Sequence, residues 1–277
     1  MRADGKKIKN IDPVAKVMPY FMSKRYDAMN MITLDIPVDP MWEYINEKRR
    51  EGKSISNLAL ILAAFLRATA EYPGLNRFVI NKKIYARNQF AVGMVVLRPG
   101  TEDGGINKMY FELTDDIFTV QDKITAYIIA NKNQNSVNET DKTISKLLKM
   151  PGLLPIAVNI LKLLDKYGFL PMKLLNASPF HSTCVISNLG SIRTNHVYHH
   201  CYHFGTTSFV VTMGNTREVP KRLNGEIVFQ KCLPLGVVVD ERICSGSYLA
   251  IAFNRIKQYL NDPRLLEASP QVINEDS

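Results

Sequence analysis

Cysteine is scarce in this sequence. Cys184, Cys201, Cys232 and Cys244 are the only four in 277 residues, widely spaced and without a C-x-x-C pair. The polar start Met1–Lys9 lacks the apolar stretch of a secretory signal, so the simple reading is reduced thiols in a cytoplasm. No apolar run reaches the length of a spanning helix, which argues against a transmembrane protein. Repeats, linkers and low-complexity segments are missing as well, and one domain over residues 1–277 is expected. A nucleic-acid module is also missing, and the lysines are dispersed rather than gathered with aromatics on one face. Nucleic acid is therefore discounted as a partner.

What is present suits a sizeable core: 46% of residues are hydrophobic and 22% charged. The net charge is +9, from 35 basic and 26 acidic residues. The resulting pI of about 9.3 favours anionic partners such as phosphate-bearing cofactors or acidic lipid, without choosing among them.

A basic arm over residues 1–16 is expected to pack on the outside. Met31–Val38 alternates as a strand should. Asp39-Pro40 resembles an N-cap followed by proline at the first helical position, opening a helix to Arg50. The spacing of Leu58, Ile61, Ala64, Phe65 and Ala68 predicts a helix from Asn57 to about Glu71. Phe78–Ile80, Lys83–Ala86 and Phe90–Leu97 read as a meander of strands. Met109–Leu113 is another, before a helix from about Ile117 to Asn131 capped by Thr114, Asp115 or Asp116. Asn131–Thr143 reads as a polar loop. Residues 144–176 are leucine-rich, studded with lysine and cut by Pro151, Pro155 and Pro171 into short helices. They suit a layer covering the sheet, or a cationic surface that touches anionic membrane or encloses an acyl chain. Ser182–Ser187, Thr207–Met213 and Ile227–Phe229 return to strands.

The chain is organised around Leu235–Ala250. An apolar β-branched run ends at the polar turn Asp240–Ser245 and passes through Gly246 into a helix to about Tyr259, ahead of Pro263. A second oddity is that four of the five histidines, His196, His199, His200 and His203, fall within eight residues. Read as a strand, the segment puts His199 and His203 on one face and His196 and His200 on the other. A metal, a replacement catalytic base from His199 or His200, or plain packing are all open on that pattern.

Thr183–Gly190, with Ser187, Asn188 and Gly190, resembles the TxxISNLG segment of the acyltransferase catalytic cores of 2-oxo acid dehydrogenase complexes. Ser208–Gly214 resembles the family strand that ends in glycine, and Leu233–Asp240 the strand leading to its DHRxxDG motif. Ala63–Ala68, Pro73–Asn76 and Tyr259–Pro263 are further matches. The resemblance covers about residues 14–267 and is strongest over 180–267, and a protein without lipoyl and subunit-binding domains is expected.

The resemblance implies an α/β two-layer sandwich with a mixed sheet, as in chloramphenicol acetyltransferase, and a homotrimer with sites between subunits. It implies coenzyme A as a substrate, an acyl acceptor, and no metal. In the family the motif histidine deprotonates a thiol or hydroxyl that then attacks a thioester. Aligned on Asp240, Arg242 and Gly246, this chain has Glu241 where the histidine belongs and Ser245 where the family has aspartate or asparagine. An ordinary glutamate, with a pKa near 4.3, is a weak base for a thiol. Ser187 matches the hydroxyl that holds the oxyanion, although a strand-end hydroxyl can equally satisfy backbone. Three functions follow: a coenzyme-A-dependent acyltransferase with a changed base, an inactive trimeric relative that binds coenzyme A, an acyl ligand or a protein, or, from the charge and the 144–176 segment alone, a trimeric scaffold at an anionic membrane surface. Cys244 lies within the motif and reads as a small buried hydrophobe.

Overall fold

The computed structural model describes residues 2–97, 104–132 and 152–276. Its centre is a seven-stranded mixed sheet in the order β2–β10–β8–β7–β5–β6, with β9 paired to β10. The strands are β2 (Met29–Pro37), β5 (Phe90–Leu97), β6 (Gly104–Phe111), β7 (Cys184–Asn188), β8 (Phe209–Met213), β9 (Arg217–Leu223) and β10 (Glu226–Asp240). β7 lies parallel to β5 and β8, and the other pairings are antiparallel. A small sheet of β1 (Gly5–Lys7), β4 (Lys83–Arg87) and β3 (Arg77–Ile80) stands beside it.

The period-2 alternation of the strands divides their side chains between two faces. Leu235, Val237 and Val239 join Phe209, Val211 and Ile186 in the main core, whereas Val185, Val210 and Val238 form a smaller cluster with Cys201 on the opposite face. The main core is closed by helices α2 (Val38–Arg50), α3 (Asn57–Glu71), α4 (Ile117–Lys132) and α7 (Gly246–Asn261). α3 is buried along nearly its whole length, and its Phe65 stacks on Phe209 with ring centroids 5.7 Å apart. Ser56 caps α3 by accepting from the Ala59 amide. Among the described residues the remaining α-helices are α1 (Pro13–Phe21), α5 (Leu153–Tyr167) and α6 (Met172–Ala177).

Several expectations are corrected. The 78–97 meander is divided between two sheets, because β3 and β4 form a hairpin with β1 while β5 joins the main sheet. Asp39 does not cap α2: Pro37 precedes the helix and Asp39 lies in its first turn. Of the three capping candidates for α4, Asp116 accepts from the Thr119 amide. The basic arm is not wholly external, since Arg2 is buried against Asp4 and Asp165. Asn133–Thr143 and residues 144–151 lie outside the described residues. Pro155 does not divide the leucine-rich segment, because it sits in the first turn of the single helix α5, where its missing N–H costs no helical bond; α5 turns Leu154, Leu161 and Leu164 inward and exposes Ile156, Ile160 and Leu163.

Candidate active site

β10 delivers the motif. Its last residue, Asp240, is fully buried and meets two guanidinium groups. Arg242 forks onto it with Nε and Nη2 donating at 2.8 and 2.7 Å, and the Arg242 amide donates at 3.2 Å. Arg25 Nε donates to the same carboxylate at 3.3 Å, and its Nη atoms donate to the carbonyls of Tyr202, Gly205 and Val79. Buried charges persist when paired and hydrogen-bonded in this way. The result is a fixed turn joining β10 to α7.

Position 241 projects from that turn. The half-buried Glu241 carboxylate accepts from Asn30 Nδ2 at 2.6 Å, and Asn30 is placed there because it faces Val239 in the β2–β10 register. Arg242 turns toward Asp240 instead of Glu241, so it does not serve Glu241 as a cationic partner. A shallow groove leads from Asn30 past Met31, Gly246, Ala250 and Lys257, between β2 and α7. Ser245 caps α7, accepting from the Tyr248 amide at 3.3 Å, and its hydroxyl lies 3.0 Å from that of Ser247. The residue in the aspartate position is thus occupied in holding the helix, and Gly246 opens it.

Ser187 lies at the end of β7, half-buried and opposite Thr212 of β8. Cys184 and Ile186 face the helices, so Ser187 projects from the other face with Val185. Among the described residues its hydroxyl has no hydrogen-bond partner, so it does not satisfy backbone there. Upstream, the Thr183 hydroxyl donates to Asn76 Oδ1 at 2.7 Å and accepts from the Ala91 amide. This ties the Pro73–Asn76 turn to β7. Beyond Ser187, Asn188 is exposed, and a Cβ on Gly190 would come within 3.0 Å of the Gly214 carbonyl.

One protomer does not bring Ser187 and Glu241 together. Ser187 is level with Thr212 and, through it, Gly236. Asp240 is four residues farther along β10 and two strand spacings across. At about 3.4 Å per residue and about 4.8 Å per strand, the backbones of Ser187 and Asp240 are about 17 Å apart, and Glu241 follows Asp240.

The histidine segment is irregular, not a strand. It crosses the outer sheet face over Gly214 and Gly236, where a Cβ would come within 2.3 Å of the His196 amide nitrogen and 2.7 Å of the Val197 carbonyl. His196 Nε2 lies 3.3 Å from the Thr33 hydroxyl, and burial, with Arg217 nearby, depresses its pKa. His199 and His200 stack on each other at 4.8 Å, with Tyr202 against both. His203 is exposed beside Tyr26. The four imidazoles do not share one face. Among the described residues no three His, Cys, Asp or Glu side chains stand together as a metal-ligating group. Cys244 is buried and its thiol is pushed up to about 12, which removes it as a nucleophile at neutral pH.

The sheet order, the helical layer on one face and the placement of the motif at a strand–helix junction define the chloramphenicol-acetyltransferase-like acyltransferase fold. A chloramphenicol acetyltransferase structure superposes with a TM-score of 0.56 at 12% identity, covering 92% of this chain and 99% of that one. Within that fold, residues 171–268 match the family of 2-oxoacid dehydrogenases acyltransferase (catalytic domain). A probable dihydrolipoamide acetyltransferase from Listeria monocytogenes covers 98% of this chain and 99% of its own, with 14% identity and a TM-score of 0.58. A truncated catalytic core of the 2-oxoacid dehydrogenase multienzyme complex from Thermoplasma acidophilum gives 13% identity and a TM-score of 0.54, covering 93% and 99%. No curated protein matches the chain. The chain resembles these acyltransferase cores in fold and in its C-terminal motifs.

Arg25 and Asn30 are neighbours of the motif that the sequence alone does not mark. Each acts on the motif through a pairing more than 200 residues long in sequence. The alternation of Met31–Val38 marked a strand, yet nothing local told which strand it joins.

Proposed function

We propose that the protein is a coenzyme-A-dependent acyltransferase that works as a homotrimer. In this reading Ser187 of one protomer and Glu241 of its neighbour complete each site. The observation that carries it is the separation of the two groups across one sheet, while each is held ready for chemistry. Glu241 is oriented by Asn30 on the Asp240–Arg25–Arg242 frame, and the Ser187 hydroxyl has no hydrogen-bond partner among the described residues. The trimeric arrangement is carried over from the family resemblance.

The acceptor thiol or hydroxyl gives its proton to the Glu241 carboxylate, and its sulfur or oxygen attacks the thioester carbonyl. The carbonyl electrons move onto oxygen, where the Ser187 hydroxyl donates to the oxyanion. Collapse expels coenzyme A thiolate, which takes the proton back from Glu241. Carboxylates as a class are weaker bases than imidazole. Turnover is therefore expected to be slow beside a histidine-based enzyme. Glu241 is preferred over His199 and His200 because those two rings stack on one another. The four buried thiols suit a reducing compartment such as the cytoplasm.

The second reading, a trimeric relative that binds coenzyme A or an acyl ligand without turnover, is favoured by Ser245. Its hydroxyl caps α7 where the family carries an aspartate or asparagine. Calorimetric titration with coenzyme A and acyl-CoAs of increasing chain length, followed by a thiol-release assay with a dithiol acceptor, separates the readings. Saturable binding near one site per protomer, with turnover that falls about 10²–10³-fold in Ser187→Ala, is expected. Binding without turnover selects the second reading, and no binding overturns both.

A further inference from the structure

Beside Arg242 lies a cleft of about 360 Å³, lined by Arg25, Lys82, Lys162, Lys166, His203 and Arg242. The carboxylate in its wall, Asp165, faces inward to Arg2 and His181. Lys82, Lys162 and Lys166 have no carboxylate partner among the described residues, and Lys82 rests 4.8 Å over the Tyr20 ring. The cleft is therefore strongly cationic, and the cations of Arg25 and Arg242 also help burial to depress the His203 pKa.

Two helices near it carry exposed apolar stripes: α5, whose Lys162 and Lys166 line the cleft, and α1, whose Tyr20 ring lies under Lys82. On α1, Val14, Val17 and Phe21 recur at i, i+3 and i+7 and all point to solvent. On α5, Leu154, Ala157, Leu161 and Leu164 turn inward, while Ile156, Ile160, Leu163 and Tyr167 form a second stripe on the outer surface, with Lys162 and Lys166 flanking it. Phe21 is 80% exposed and Phe169, just after α5, 73%. Aromatic and branched apolar side chains beside lysines that bear no counter-charge are the composition of an interfacial helix. Among the described residues no helix is long and apolar enough to cross a membrane. Contact at the surface is the mode left to these helices.

We propose that this surface docks on an anionic phospholipid bilayer, with the α1 and α5 apolar stripes entering the headgroup region and the cationic cleft taking a lipid phosphate. The charge complementarity of the cleft selects this occupant over a second copy of the +9 chain. The inference is independent of whether Glu241 supports turnover.

Co-sedimentation of the purified protein with phosphatidylcholine vesicles, with and without phosphatidylglycerol, tests it. Binding should require phosphatidylglycerol and weaken as salt rises. Lys162→Ala with Lys166→Ala should weaken it roughly fivefold per lysine, hence roughly 25-fold. Ile160→Ser with Leu163→Ser should cost roughly tenfold or more while leaving the circular dichroism spectrum unchanged. Excess glycerol phosphate should not release the bound protein. Four results overturn the proposal: no binding at low salt, equal binding to phosphatidylcholine alone, displacement by glycerol phosphate, or a change of solution mass in Ile160→Ser/Leu163→Ser. Displacement marks a site for soluble anions, and a mass change marks an interface between copies.

Discussion

Asp240→Asn keeps the shape of the side chain that anchors the motif and removes its charge. Two buried guanidinium groups then face an amide. Arg242 retains a hydrogen bond to the Met22 carbonyl, and Arg25 retains its three to Tyr202, Gly205 and Val79. Breaking a buried ion pair from one side typically costs about 3–5 kcal/mol, because the partner charge is left uncompensated. Those surviving carbonyl contacts place the expected loss near the lower end, about 3 kcal/mol. That is a large share of the roughly 5–15 kcal/mol that holds a native protein. Urea unfolding at one fixed protomer concentration reads it as a lower midpoint with an unchanged slope. Adding Arg25→Met to Asp240→Asn removes one of the orphaned charges and should recover part of the loss. A cost under about 1 kcal/mol for Asp240→Asn, with no recovery from the second change, would refute the account of this frame.

Other expectations follow from the same structure. Burial raises all four thiols, with Cys201 and Cys244 pushed up to about 12. A thiol reagent should therefore label none of them in the native protein at mildly alkaline pH and all four after unfolding; rapid native labelling would contradict this. Burial alone would raise the Asp165 carboxyl, but hydrogen bonds and charges from His181 and Arg2 carry it below the usual range. A depressed folded pKa adds stability above the unfolded value and loses it as pH falls through the folded one. The stability gap between wild type and Arg2→Met should be widest above about pH 5 and narrow below about pH 4. A gap independent of pH would show that the pairing does not hold the proton off. His199→Asn and His200→Asn should each leave turnover within about twofold, and loss of activity in either would move the base from Glu241 to the cluster.

The parts of this structure legible in the sequence are those fixed by local chemistry. The expected Asn57–Glu71 helix agrees with α3 at both ends because Ser56 caps it and its apolar face is broad. The Leu235–Asp240 strand and the helix opening at Gly246 were readable from a β-branched run and a polar turn. β9 was missed because its residues are mostly exposed and include Pro220, so no apolar alternation marks it. Asn224-Gly225, both at positive φ, was the available hairpin signal. The histidine segment failed as a strand because its path is set by two bare positions beneath it, Gly214 and Gly236, which belong to other parts of the chain. Ser187 and Glu241 were readable as motif positions, whereas their separation required the sheet register. Arg25 and Asn30 act through tertiary pairing alone.

The most direct test of a site shared between copies is complementation. Ser187→Ala and Glu241→Gln proteins, each expected to be nearly inactive, are unfolded together in equal amounts, refolded and assayed for acyl transfer. Random assembly leaves about one site in four with an intact Ser187 from one protomer and an intact Glu241 from its neighbour, because each is supplied with probability one half. Recovery of about a quarter of the wild-type rate is the predicted result. A mixture no more active than its separate components, in assemblies of about 94 kDa (three times the 31.4 kDa chain), would contradict the account.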